Sequence, residues 1–179
     1  MQKENYYFFA ATLTAITYGD EPPMSSEKFR ELCCEFLSSK DAEYLKYCCY
    51  DPHLALATTE PTGSDFIDTF LYQQRCFLTK LASLRAKKLN RDLEIDVSED
   101  DAITAKTAFE INNPLEAELY INKERWQALD DLVNINYYDV RSIYCYLLKL
   151  QLLEKKRIFD TAIGSAEYQK LLGKLKIKN

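Results

Sequence analysis

The segment from residue 64 to residue 90 repeats apolar side chains at intervals of three and four positions, which is the spacing of one face of an α-helix. These side chains form two adjacent rows that together make a stripe about 100° wide. The first row is Phe70, Phe77, Leu81 and Leu84, and the second is Ile67, Leu71 and Leu78. Because most helical stability comes from tertiary packing, a long helix with such a stripe requires other elements to cover it.

A second long helix is predicted between residues 137 and 160, where apolar side chains surround the helix almost completely. Asn136 or Asp139 is expected to cap its start. The apolar residues are Val140, Ile143, Tyr144, Leu147, Leu148, Leu150, Leu152 and Leu153. A helix that is apolar on all sides is normally buried, so this segment is predicted to be the central element of the fold.

Glycine is scarce, with four residues in a chain of 179. Tight hairpins, phosphate-binding loops and dinucleotide fingerprints depend on glycine, so none of them is expected. Shorter helical patterns occur at residues 26–37, 39–49, 101–112 and 114–133, and from about residue 165. The sequence therefore predicts an all-α fold, a two-lobed bundle of about seven to eight helices with the long ones near 64–90 and 137–160.

Local signals predict several helix ends. Ser25 or Ser26 is expected to cap the helix that follows them. Thr62 has capping-box spacing to Asp65, at the start of the first long helix. Asn90, which tolerates a left-handed backbone better than most residues, is expected to end that helix.

For the first segment of the chain, the sequence does not decide between a helix and a strand. Residues 5–17 are aromatic and alanine-rich, and they fit either a buried helix or a short strand. Residues 51–64 contain two prolines and one glycine, which predicts a loop between two lobes. We expect N-terminal helices in residues 1–60 that pack on a main helical bundle in residues 61–179.

The two long helices carry similar sequences when the chain is displaced by 69 residues. Cys76, Leu78, Lys80, Leu81, Leu84 and Lys87 coincide with Cys145, Leu147, Lys149, Leu150, Leu153 and Lys156. Amphipathic helices share such patterns by chance, and a duplicated helical module is the alternative explanation.

No motif for catalysis or metal binding stands out. The six cysteines are interpreted as reduced, mostly buried thiols, and a zinc site built from the two Cys-Cys pairs is the alternative. His53 is the only histidine and has no nucleophile signature near it, so we expect no enzyme. Asp65 and Asp68 are more easily explained by the helix dipole than by a metal. The acidic run at 92–101 departs from the EF-hand pattern, and we expect no cofactor.

Charge is unevenly distributed along a chain of net charge -5. Residues 92–118 contain nine acidic residues against one lysine, and residues 147–179 contain eight basic residues against three acidic ones. The acidic balance argues against nucleic-acid binding, and the sequence contains neither a membrane-spanning run nor a signal peptide. We expect a cytoplasmic protein that uses its charge asymmetry for orientation within a protein complex.

The segment LxxLRAKKLNRD, which follows a helix opened by SDFIDTFLYQQRCF, resembles the helix with a basic end found in the family of V-type ATPase C subunits, known as d subunits in eukaryotes. Leu84, Arg85, Ala86 and Lys87 match that family's pattern, and Asn90 takes the approximate place of its usual glycine. The whole chain is similar to a short bacterial family of unassigned function that is encoded beside V-type ATPase subunits. This similarity involves NYYFFAATL, PPMSSEKFRELC, NKERWQALDDL and YCYLLKLQLLEKKRIFD.

The resemblance implies a non-catalytic accessory or central-stalk component of a bacterial V-type ATPase, which would contact stalk and rotor-ring subunits from the cytoplasmic side of the inner membrane. The partner interface would be basic. Its expected residues are Arg85, Lys87, Lys88, Arg91, Lys155, Lys156 and Arg157. Alternatives are internal pairing of Arg85 with a carboxylate, and for the whole chain a free-standing helical adaptor that binds an amphipathic peptide.

Overall fold

The computed structural model describes residues 6–91, 99–133 and 139–159, together with residues 165 and 168, and for residues 99–102 it describes the backbone alone. Its helices are α1 Tyr7–Thr12, α2 Ser26–Phe36, α3 Ser39–Tyr44, α4 Pro52–Ala57, α5 Asp65–Lys88, α6 Glu99–Glu110, α7 Pro114–Val133 and α8 Val140–Ile158. A 3-10 helix at Leu45–Tyr47 continues α3. No strand occurs within these ranges, and the predicted all-α class is confirmed.

Helix α8 is the centre of the core, as its all-round apolar pattern predicts. Nine of its residues are buried, and α2 and α7 pack directly against it. The buried residues are Ile143, Tyr144, Cys145, Tyr146, Leu147, Leu148, Leu150, Leu152 and Leu153. The Asp139 side chain caps the helix by accepting a hydrogen bond from the Arg141 amide at 2.9 Å.

Both ends of α5 are fixed by local hydrogen bonds. At its start the predicted pairing of Thr62 with Asp65 is wrong, because the Thr62 amide and hydroxyl donate to Asp68 Oδ1 at 2.7 and 2.8 Å. Gly63, with φ of +92°, lies between Thr62 and the helix and gives the chain a backbone turn that side-chain-bearing residues disfavour.

At the other end of α5, Asn90 has φ of +53°, as predicted. The Arg91 amide donates to the Ala86 carbonyl at 2.9 Å and the Asn90 amide to the Lys87 carbonyl at 3.1 Å. These two bonds form a Schellman motif, which satisfies the last carbonyls of the helix. The chain that follows the helix therefore leaves it in a defined direction.

The predicted loop at 51–64 is wrong in its first half, which forms α4. The Asp51 side chain accepts a hydrogen bond from the His53 amide at 2.9 Å, and Pro52 occupies the first helical position. Proline fits that position because the amide it lacks would have no partner inside the helix. Helix α4 packs against α5, and Ala55 is buried.

Segment 5–17 contains a short helix, α1, which ends at Thr12 and is followed by Leu13, a residue with an extended backbone. Phe9 in α1 stacks on Phe36 and Phe29 of α2, with ring centroids 4.7 and 6.0 Å away. The Tyr6 hydroxyl donates to Asp41 Oδ2 at 2.6 Å. These contacts attach the start of the chain to the same core as α8.

Some predictions concern residues outside the described ranges. They include the cap at Asn136, the acidic run at 92–98 and most of the helix expected from Ser165, of which Ser165 and Tyr168 alone are described, both helical and exposed. The boundary at residue 60 stays a prediction, although one core cluster combines residues from α1 to α3 with residues of α5, α7 and α8. In the part of the chain that is described, no helix is both long and apolar enough to cross a membrane.

Candidate functional site

The four predicted basic residues at the end of α5 are all exposed. Arg85, Lys87 and Arg91 form no ion pair with any carboxylate in the described ranges, so the internal pairing considered for Arg85 is not found there. Lys88 places its ammonium 5.6 Å from the centroid of the Phe109 ring on α6. This end of the helix therefore presents a concentration of positive charge that the described residues leave uncompensated.

The three predicted basic residues at the end of α8 are arranged differently. Lys155 pairs with Glu118 Oε2 on α7 at 2.8 Å, and the Lys156 ammonium lies 5.2 Å from the centroid of the Tyr18 ring. Arg157 is exposed. Two of these three cations thus hold the protein's own elements together, which leaves them less available to a partner.

A cavity of about 170 Å³ lies between α5, α6 and α7. Helix α5 supplies two amide side chains and one ring, α6 supplies a hydroxyl, and α7 supplies one acidic, one basic and two apolar side chains. The lining residues are Gln73, Gln74, Phe77, Thr104, Ile121, Glu124, Arg125 and Ala128. The wall therefore combines hydrogen-bonding groups with apolar surface, as ligand-binding cavities commonly do.

Arg125 is the most unusual residue of this wall. Its guanidinium carbon lies 4.8 Å from the centroid of the Tyr50 ring and 5.3 Å from that of Phe77. Burial lowers the pKa of Arg125, and the nearby Tyr50 and Glu118 raise it by a smaller amount. The carboxylate of Glu118 is near enough to interact with the guanidinium electrostatically, but it pairs with Lys155, and no ion pair of Arg125 is found among the described residues.

Two other arginines show how this chain normally satisfies a guanidinium. Arg30 donates to the carbonyls of Leu45 and Cys48, the latter at 3.2 Å. Arg75 donates to the carbonyls of Thr58 and Ala55, the latter at 3.4 Å. In the described part of the chain, no backbone carbonyl accepts a hydrogen bond from Arg125. Its N–H donors are therefore open to an external acceptor, unlike those of Arg30 and Arg75.

One buried polar group next to Arg125 lacks a partner among the described residues, and further polar side chains line the same wall. The Tyr50 hydroxyl is buried and has no hydrogen-bond partner among the described residues, and burial raises its pKa. Gln74 is 8% exposed and Gln73 and Thr104 are half-buried on the same wall. Amide and hydroxyl donors beside a guanidinium are suited to binding an oxyanion.

The buried cysteines have the properties of unreactive core thiols. Burial raises the pKa of Cys33 and of Cys145 to about 12, and it raises the pKa of Cys48 further. A thiol with a raised pKa is a poor nucleophile and a poor metal ligand at neutral pH. Within the described ranges, no group of three or more His, Cys, Asp or Glu side chains is arranged to hold a metal.

The remaining candidates occupy ordinary positions. His53 and Asp65 are exposed, and Asp68 is engaged by Thr62. Sequence reasoning missed Arg125, which lies in NKERWQALDDL between the inward-facing Ile121 and Leu129. In the sequence, Arg125 differs from other arginines only in its place beside Trp126, near the apolar face of the predicted helix. That position is compatible with a buried arginine and with a solvated one.

Residues 107–179 match the model of a family described as a protein of unknown function, DUF2764. The match covers less than half of the chain and includes all of α7 and α8, so Glu124 and Arg125 fall inside it, whereas the cavity residues from α5 and α6 fall outside it. No curated protein and no solved structure matches the chain.

Proposed function

We propose that the chain is a non-catalytic accessory or central-stalk component of a bacterial V-type ATPase, which stabilises or couples the stalk and the rotor ring. The observation that carries this proposal is the exposed basic end of α5, formed by Arg85, Lys87, Lys88 and Arg91. The same segment bears the resemblance to the V-type ATPase C subunits. In this proposal the protein lies on the cytoplasmic side of the inner membrane and is held there through the complex.

The geometry of this end favours protein docking. The Schellman bonds from Asn90 and Arg91 fix the direction in which the chain leaves the helix, so the basic side chains start from an ordered backbone. Cations that lack internal partners attract an acidic surface and orient it during encounter. Each such contact is weak when exposed, and affinity would come from a broad interface.

The end of α8 contributes less in this proposal than its sequence suggests. Arg157 is the exposed member of its three cations, since Lys155 and Lys156 contact Glu118 and Tyr18. We therefore assign the main contact to α5.

Affinity purification of the tagged full chain from cells that encode it tests the assignment. The expected result is recovery of the catalytic and stalk subunits of the ATPase. The triple variant Arg85→Glu, Lys87→Glu, Arg91→Glu should lose most of this recovery. Because three exposed lysines elsewhere offer the same change of charge, the matched control is Lys28→Glu, Lys40→Glu, Lys123→Glu, which should retain it. Repeated purification without any ATPase subunit, or equal recovery with both triple variants, would refute the proposal.

A free-standing adaptor for an amphipathic peptide is the second candidate. It is favoured by exposed aromatic side chains on α1 and α2, where Phe8 is 84% and Phe36 56% exposed and Tyr7 lies in edge contact with Phe8. Contiguous exposed apolar groups are typical of protein-binding surfaces, and Tyr7 and Phe8 form such a pair. If this candidate holds, Phe8→Ser with Phe36→Ser abolishes partner recovery and the α5 charge reversal leaves it unchanged.

A further inference from the structure

We propose that the cavity between α5, α6 and α7 binds a small organic monocarboxylate, with Arg125 as the residue that holds the carboxylate group. This site is separate from the basic end of α5, and the proposal does not depend on the assignment to an ATPase. It concerns Arg125, a guanidinium that lines a cavity and for which no carbonyl or carboxylate partner is found among the described residues.

The first step is the state of the Arg125 side chain. An arginine stays protonated in proteins, so burial does not remove its charge. Contacts with the Tyr50 and Phe77 rings stabilise the cation through their π faces, but a ring face is no substitute for acceptors along the N–H edge. Arg125 is half-buried, so its N–H donors reach the cavity, and a bound oxyanion would supply charge-assisted acceptors that the described part of the protein does not.

The second step is the charge of the ligand. Glu124 also lines the cavity, so the wall carries one positive and one negative side chain. A phosphate dianion would be attracted by Arg125 and repelled by Glu124, whereas a monoanion reduces that repulsion. The neutral donors on Gln73, Gln74 and Thr104 add hydrogen bonds without adding charge. A carboxylate accepts two parallel hydrogen bonds from a guanidinium, which is the geometry best suited to one arginine.

The third step is the body of the ligand. Phe77, Ile121 and Ala128 give the cavity an apolar side. Its volume of about 170 Å³ is close to that of a cavity of about 150 Å³ that accommodates benzene. A carboxylate with a small branched or aromatic body, of the size of isobutyrate or benzoate, therefore fits both the polar and the apolar parts of the wall.

Titration of the full chain with isobutyrate and benzoate tests the site, followed by calorimetry and by NMR of the arginine Nε–H signals. We expect saturable binding that shifts the Arg125 signal. Isobutyramide and benzamide have the same shape without the charge and should bind at least tenfold more weakly. Inorganic phosphate should also bind more weakly than the carboxylates. Equal binding of amides and carboxylates, preferential binding of phosphate, or an Arg125 signal unaffected by millimolar carboxylate would overturn the proposal.

Two variants separate binding from folding. Arg125→Gln should weaken carboxylate binding at least tenfold, whereas Arg141→Lys, at an arginine that pairs with Asp139 outside the cavity, should leave it unchanged. Glu124→Gln should strengthen carboxylate binding several-fold, because it removes the like charge from the wall. A gain in affinity cannot arise from loss of the fold, so Glu124→Gln decides the question even where Arg125→Gln unfolds. Unchanged or weaker binding by Glu124→Gln would contradict the charge argument.

Discussion

Glu154 joins two helices that are far apart in the sequence. Its carboxylate oxygens accept hydrogen bonds from the Ser26 amide and from the Ser26 hydroxyl, each at 2.6 Å. Ser26 is the first residue of α2, where backbone amides have no acceptor inside the helix. The carboxylate of α8 thus serves as a cap for α2 and lies at the positive end of that helix's dipole. We expect substitution of Glu154 to weaken the attachment of α2 to the core.

The expected size of the effect follows from the two bonds. Hydrogen bonds to a charged group contribute about 1.5–3 kcal/mol and neutral ones about 1 kcal/mol, and a charge at the helix start adds about 0.3–1 kcal/mol. Glu154→Gln keeps one oxygen acceptor but loses the charge and the second acceptor. We therefore expect the free energy of unfolding to fall by about 2 kcal/mol, which corresponds to about 4–8 °C in melting temperature for a chain of this size.

Urea unfolding followed by far-UV circular dichroism measures this change in the wild type, Glu154→Gln, Ser26→Ala and the double variant. The double-mutant cycle should give a coupling energy of about 1 kcal/mol between the two side chains. Glu31→Gln is the matched control, because Glu31 is an exposed carboxylate on α2, and it should change stability by less than about 0.5 kcal/mol. A Glu154→Gln protein as stable as the control, or a coupling energy near zero, would refute the assignment of a capping role.

Three further predictions concern other parts of the fold. Asn90→Ala should lower the free energy of unfolding by about 1 kcal/mol in urea, because Asn90 has a positive φ, whereas Asn90→Gly should not lower it; equal losses would contradict the backbone explanation. Leu148→Ala should cost about 2–5 kcal/mol in the same assay, since Leu148 is fully buried in α8, and a loss below about 1 kcal/mol would mean that it is not in a packed core. Burial raises the pKa of Cys33 and Cys145 to about 12, so the folded state holds these protons more tightly than the unfolded state. Their contribution to stability should be complete below about pH 9 and disappear between about pH 9 and 12, by at most about 1.4 kcal/mol per pH unit for Cys145. Native protein at pH 8 should expose Cys34 alone of these three thiols to a thiol reagent, and rapid reaction of Cys33 or Cys145 would contradict their burial.

The elements that the sequence predicts well are those whose causes are local. The capping groups of Ser25 and Asp139 lie within three residues of the amides they bind, and Asn90 acts through its own backbone. The same local reasoning failed at Asp51-Pro52, because an aspartate followed by proline signals either a break or a helix start. Burial of Ala55 against the rest of the fold decides between the two, and that is a tertiary contact.

The cavity could not be predicted for a related reason. Its wall takes residues from α5, α6 and α7, which are brought together by packing rather than by spacing in the sequence. Arg125 lies between Glu124 and Trp126 in the chain, so its sequence context fits a solvated arginine as well as a buried one. The rings of Tyr50 and Phe77, which decide its environment, lie in segments remote from it along the chain.

The position of α8 in the chain has a consequence for biosynthesis. The Tyr144 hydroxyl donates to the Asp41 carbonyl, Gln151 donates to the Cys48 carbonyl, and Glu154 accepts from Ser26, so the early helices are anchored on a helix that leaves the ribosome after all of them. At translation rates of about 5–20 residues per second, the early helices are synthesised several seconds or more before α8 leaves the ribosome. During that interval Phe29 of α2 lacks the Tyr146 ring of α8, against which it is buried in the finished fold, so the unfinished chain exposes apolar surface that chaperones bind.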